Sequence, residues 1–217
     1  MKRAMLIIIV CSALVTIGAA LKCEVCYSPS SNSCSGHYET CSSSQDRCME
    51  TLTQTSMGDV ESVVFEKSCG SLYKCTHPAS MTAPNYRVSV TTLCCDTDYC
   101  NNRTMNWKTE NSTLNGMNCP SCFSKNSETC DKLIPLNCTG NETHCIQFTA
   151  TRHRGSPVTM AGCATENMKK SQGKAAFWGE SIQVSRFKAL NGGMSLQAGC
   201  LPTILAILTA MKIRSTE

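Results

Sequence analysis

Aromatic side chains are scarce in this chain, at 6% of 217 residues, with two tryptophans and five each of tyrosine and phenylalanine. That volume cannot fill two ordinary hydrophobic cores, so stability must come largely from another source. No block of consecutive basic residues occurs, and no aromatic platform alternates with charge, which leaves nucleic-acid binding unsupported. Neither end carries the roughly 20 apolar residues that a membrane-spanning helix needs. Catalytic signatures are missing as well. There is no Gly-x-Ser-x-Gly elbow and no glycine-rich phosphate loop, and His37, His77, His144 and His153 sit in no catalytic motif. These absences argue against an enzyme and call for no cofactor.

Cysteine is abundant instead. Eighteen cysteines are about 8% of the chain, the level of a disulfide scaffold. Bridges of that kind persist only in an oxidising compartment, and the N-terminus supplies the route. Residues 1–20 read as a secretory signal: Lys2 and Arg3 are the positive start, Met5–Val10 and Ala13–Ile17 the apolar middle, and Gly18-Ala19-Ala20 the small residues before cleavage. Cys11 leaves with that segment. The paired Cys23-x-x-Cys26 and Cys119-x-x-Cys122 lack the second close pair of a zinc ribbon, so no metal is expected.

The most informative stretch is Cys94-Cys95-Asp96-Thr97-Asp98-Tyr99-Cys100-Asn101, a vicinal pair, a third cysteine and an asparagine. Upstream lie Cys23, Cys26, Cys34, Cys41, Cys48, Cys69 and Cys75. With the Leu21-Lys22-Cys23-Glu24-Val25-Cys26 opening, this resembles the three-finger domain of the lymphocyte-antigen-six and urokinase-receptor family. Spacing alone leaves the connectivity open. The resemblance implies Cys23–Cys48, Cys26–Cys34, Cys41–Cys69, Cys75–Cys94 and Cys95–Cys100, with Asn101 pinning the C-terminal end of the module.

Local patterns agree with a finger architecture. Tyr86, Val88, Val90 and Thr92 alternate toward Cys94, and Val63, Phe65 and Lys67 alternate toward Cys69, as half-buried strands do. Ser56-Met57-Gly58-Asp59 suits a fingertip turn. The first module is assigned residues 21–101. Residues 102–117 are polar and aperiodic, which predicts an exposed linker. Asn102 and Asn111 head glycosylation sequons there, and Asn141 heads another downstream. Asn137 heads a fourth, whose middle residue, Cys138, is expected to be bridged.

From Cys119 the spacing recurs. The first set of gaps is 3, 8, 7, 7 and 21; Cys119, Cys122, Cys130, Cys138, Cys145 and Cys163 give 3, 8, 8, 7 and 18. Such fidelity indicates a second module over residues 118–190, with Cys119–Cys145, Cys122–Cys130 and Cys138–Cys163 implied by analogy. No later cysteine set and no closing knot follow. Lys169 and Ala189 fall where the missing pair would be, around a possible strand at Ile182 and Val184, so residues 166–190 are expected to be the least rigid part. The fold class is therefore all-β and disulfide-rich, as tandem three-finger modules, the second lacking the third-finger and C-terminal-knot bridges.

Residues 191–217 resemble a glycosylphosphatidylinositol attachment signal. Asn191-Gly192-Gly193 are small, Leu201–Met211 are apolar apart from two threonines, and Asn191, or else Gly192, is the candidate anchored residue. Loss of that tail would remove Cys200, which has no partner once sixteen cysteines are paired. The tail departs from the pattern in its short spacer and in Lys212 and Arg214. Charge is uneven: residues 21–100 hold five basic against nine acidic side chains, residues 101–217 thirteen against seven. Arg152-His153-Arg154 is expected at the central fingertip of the second module, as a candidate contact for an acidic partner. The family resemblance implies a non-enzymatic extracellular binding protein that meets a protein partner through its fingertips. The alternative reading is a soluble inhibitor, since the layout also resembles the gamma-type plasma inhibitors of secreted phospholipases, and membrane contact is expected only through the lipid anchor.

Overall fold

A computed structural model describes residues 20–75, 78–105, 111–152, 155–174 and 182–194, with backbone alone at residues 152, 182, 183 and 194. The first module supplies β1 (Lys22–Ser28), β2 (His37–Thr40), β3 (Arg47–Met57), β4 (Val60–Gly70), β5 (Ala79–Ala83) and β6 (Tyr86–Cys95). The second supplies β7 (Leu114–Lys125), β8 (Ile134–Thr139), β9 (His144–Arg152), β10 (Pro157–Ala164), β11 (Ile182–Leu190) and β12 (Gly193–Met194). A short helix, α1 (Glu166–Lys170), lies between β10 and β11.

The hairpins follow from their turn residues. Met57 pairs with Val60 across a two-residue turn whose Gly58 has φ +60°, the handedness that matches strand twist. In the next hairpin Ala83 pairs with Tyr86 across Pro84-Asn85; Pro84 fixes one φ, and Asn85 takes the positive φ of 55°. The Gly58 amide donates to the Asn85 carbonyl at 3.0 Å, so these two fingertips are tied together.

Eight disulfides clamp the bases of the fingers: Cys23–Cys48, Cys26–Cys34, Cys41–Cys69, Cys75–Cys94 and Cys95–Cys100 in the first module, and Cys119–Cys145, Cys122–Cys130 and Cys138–Cys163 in the second. The fold is all-β, disulfide-rich and built from two three-finger modules, the second without the third-finger and knot bridges. Its β11 pairs with β9 from Ile182 to Leu190 and packs Val184 and Phe187 against the core.

The strands run as one path, β11-β9-β10-β5-β6-β3-β4-β1-β2, with β7, β8 and β12 branching at β10. The path crosses the module boundary where β10 pairs with β5, Cys163 opposite Thr82 and Ala164 opposite Met81. The largest core is shared accordingly. Ala79, Met81, Val88 and Val90 of the first module meet Ile146, Phe148, Met160 and Met168 of the second. A smaller core of Leu52, Val63, Phe65 and Met105 belongs to the first module alone.

Two features depart from the expected linker of residues 102–117. Met105 is only 5% exposed and closes the small core, while the Asn32 side chain donates to its carbonyl at 3.0 Å. Leu114–Met117 already belong to β7, where Leu114 pairs with Thr139. The apolar residues of that stretch, Met105, Trp107, Leu114 and Met117, keep no sustained period, so the sequence pattern could not show that Met105 docks.

Candidate binding surface

The closing knot of the first module is a structural site. Asn101 is 1% exposed; its amide oxygen accepts from the Glu24 amide at 3.0 Å, and its Nδ2 donates to the carbonyls of Glu24 and Met49 at 2.8 and 3.3 Å. Beside it lies a buried charge cluster that sequence reasoning missed. Lys67 Nζ donates to Glu24 Oε2 at 2.7 Å, the Gly36 amide donates to Glu24 Oε1, and the Arg103 amide donates to Glu50 at 2.7 Å. Burial opposes charge on Glu24, yet Lys67 and the Gly36 amide hold its carboxyl below the usual carboxylate range. Burial dominates at Glu50 and pushes its carboxyl up, against the Arg103 amide and the Lys67 ammonium. Burial also raises Glu66 on β4, against a hydrogen bond from Ser68.

The seam between the modules is polar at one edge and apolar at its centre. Glu142, 1% exposed, accepts from the Ser80 hydroxyl at 2.8 Å and from Thr82 at 3.0 Å. Thr165 continues the ladder: its amide donates to the Ser80 carbonyl and its hydroxyl accepts from the Ser80 amide at 2.9 Å, while also capping α1. At the apolar end Tyr86 stacks on Phe123, ring centres 4.9 Å apart. Along the polar edge runs a cleft of about 410 Å³ lined by Ser80, Arg87, Asn111, Asn141 and Glu142. Nothing in the cysteine spacing signals this docking, and Glu142 reads in sequence only as the middle of a sequon.

The remaining candidates are surface features. Asn102, Asn111 and Asn141 are exposed. Asn111 Oδ1 accepts from the Thr113 amide at 2.9 Å. Arg152 ends β9, at the tip of the β9–β10 finger, and its basic neighbours His153 and Arg154 lie outside the described residues. Asn191 is exposed directly after β11, and the adjoining Gly192 lies tight against Met117 and Cys145, where a Cβ would collide. Sulfurs of Cys23, Cys41 and Cys69, and of Cys119, Cys138 and Cys163, cluster at the two bases. All six are bridged, and a disulfide sulfur is not the thiolate that a metal binds. No helix among the described residues is long and apolar enough to cross a membrane.

A u-PAR/Ly-6 domain model matches residues 19–103 and again 115–187. The chain belongs to the u-PAR/Ly-6 family. Among curated u-PAR/Ly-6 relatives, a phospholipase A2 inhibitor, PIP, from Malayopython reticulatus is 28% identical over 70% of this chain and 73% of that protein. A Ly6/PLAUR domain-containing protein 8 from Mus musculus is 26% identical over 72% of this chain and 62% of its own length. The crystal structure of mouse TEX101 aligns with 80% of this chain and 99% of that one, at 17% identity and a TM-score of 0.33, too low to carry a conclusion. Both u-PAR/Ly-6 matches coincide with disulfide-clamped modules, and their family-level role is extracellular binding.

Proposed function

We propose that this chain is a non-enzymatic extracellular binding protein that recognises a protein partner through its fingertips at the cell surface. The observation that carries the reading is the pairing of two family modules with rigid, disulfide-based hairpins whose tips remain at the surface. Recognition commonly sits on loops held by such a scaffold. The basic tip at Arg152, His153 and Arg154 is the proposed contact for an acidic partner surface. Asn102, Asn111 and Asn141 are the proposed N-glycosylation sites.

The membrane link in this reading is a glycosylphosphatidylinositol anchor on Asn191. Support comes from the small residues at 191–193, the apolar run at 201–211 and the removal of Cys200. Anchoring at Asn191 would remove Gly192–Met194 and with them the two-residue β12, leaving β11 as the last strand.

The relative from the python favours a second reading, a soluble inhibitor of a secreted phospholipase. Titration of the secreted chain against a purified secreted phospholipase A2 separates the two. Stoichiometric loss of hydrolysis supports the inhibitor. Unchanged hydrolysis at micromolar protein removes it. For the first reading, reversing Arg152 and Arg154 to glutamate should abolish binding of the purified chain to partner-bearing cells while secretion continues. Binding that survives the reversal takes that tip out of the account.

A further inference from the structure

The register of the strands places an apolar row across the module boundary. Val60 of β4 lies opposite Met57 of β3, and Met57 lies opposite Tyr86 of β6. Directly opposed residues share one face of a sheet, so these three side chains stand side by side. Tyr86 then stacks on Phe123 of β7, which belongs to the second module. Exposure rises along the row: Phe123 and Tyr86 are half-buried against the shared core, Met57 is 38% exposed and Val60 66%. Neither module holds this stripe alone.

The stripe is also preorganised. The Gly58–Asn85 hydrogen bond ties the two tips, the β4–β3–β6 pairing fixes the spacing of Val60, Met57 and Tyr86, and ring stacking adds Phe123. An acidic side chain stands at its exposed end, Asp59 in the turn between Met57 and Val60, in a module with nine acidic against five basic residues. At the other end Lys125 stands 5.9 Å from the Phe123 ring centre.

Spacing decides the shape of the occupant. Neighbouring strands repeat at about 4.8 Å, whereas side chains on one face of an extended peptide repeat at about 6.7 Å. Successive turns of an α-helix repeat at about 5.4 Å, much closer to the strand spacing. Resting on the reading that the fingertips bind protein, we propose that this stripe receives an amphipathic helix of a partner protein, its apolar face on Val60, Met57, Tyr86 and Phe123 and a cationic residue against Asp59. Met57 adapts its shape to different apolar faces, and Tyr86 and Phe123 supply rigid anchors.

The test uses the full secreted chain and a labelled 14-residue leucine–lysine peptide of helical period, read by fluorescence anisotropy. The controls are the same composition scrambled and a leucine–glutamate version. Saturable binding of the leucine–lysine helix is expected, with scrambled and acidic peptides at least tenfold weaker. Met57→Ser with Val60→Thr should weaken it about tenfold, since buried apolar area drives the contact. Asp59→Asn should weaken it about twofold at low salt, and less at high salt. Met57, Val60 and Asp59 are all exposed, so these changes leave the core intact. No binding, equal binding of the scrambled peptide, or indifference to the Met57 and Val60 substitutions overturns the proposal. Failure of the partner-cell or phospholipase assays with peptide binding retained would instead count against the functional reading and leave the stripe standing.

Discussion

Ser80 and Glu142 join the two modules: the serine hydroxyl on β5 donates to the glutamate carboxylate at 2.8 Å, and Thr82 adds a second bond to the same oxygen. Together with the β5–β10 ladder and the shared core, this makes the first module's third finger part of the second module's fold. The arrangement supplies what a missing bridge does not. In the first module Cys75–Cys94 staples that finger. In the second, β11 and α1 rest on the shared core through Val184, Phe187 and Met168.

Glu142→Ala removes the acceptor and leaves both hydroxyls without it in the seam, at a cost of about 1–3 kcal/mol. In urea the parent should unfold in a single transition, whereas the variant should separate into two. Faster amide exchange of residues along the β5–β10 pairing should accompany the split. A variant that still melts in one step at the parental midpoint would show that the bond is dispensable.

Lys67 and Glu24 form a buried pair, 4% and 7% exposed. Lys67→Ala leaves two carboxylates without their cation and should destabilise by about 3–5 kcal/mol, as uncompensated buried charge does. Chemical denaturation of Lys67→Ala, Glu24→Gln and the double variant measures the coupling. A double variant no worse than Lys67→Ala alone is the expected result.

The pH dependence follows from opposed shifts. Glu24 lies below its ordinary value of 4.5, so its contribution is present above that value and is lost as pH falls through the lowered one. Glu50 lies above 4.5, so the folded state holds its proton longer than the unfolded chain. Its contribution is present at low pH and disappears as pH rises from 4.5 through the raised value. Glu50→Gln keeps an acceptor for the Arg103 amide and removes that loss. Melting at pH 7 should therefore rise relative to the parent by about 2–4 °C for each kcal/mol recovered, and the difference should shrink toward pH 4. An equal shift at both pH values would contradict the assignment.

Asn101 makes its three hydrogen bonds at only 1% exposure. Asn101→Asp replaces the Nδ2 donor with an acceptor facing two carbonyls. Secretion from mammalian cells should drop sharply, because each unpaired buried group costs about 1–3 kcal/mol. Secretion at the parental level would remove the pinning role.

Much of the scaffold was legible in the cysteines. Their repeated gaps announced two modules, and the alternation at Val63, Phe65 and Lys67 announced a half-buried strand. That pattern marked Lys67 as inward without revealing Glu24, because an ion pair formed 43 positions apart leaves no local signal. Docking of the modules was illegible for the same reason. It depends on Ser80, Glu142 and Thr165, ordinary polar residues whose meaning comes only from the strands that carry them. Met105 was misread as linker because the scattered apolar residues of its stretch keep no sustained period. The stripe of Val60, Met57, Tyr86 and Phe123 was hidden too, since its members come from four strands and stand next to one another only once register is known.

Surface release tests the proposed role most directly. The full chain is expressed in mammalian cells, treated with a phosphatidylinositol-specific phospholipase, and followed in both cells and medium. The account predicts protein held at the surface and released only on treatment, ending at Asn191 and free of Cys200. Protein already abundant in untreated medium, with Cys200 retained, would contradict the anchored receptor-like reading and transfer the weight to the soluble inhibitor.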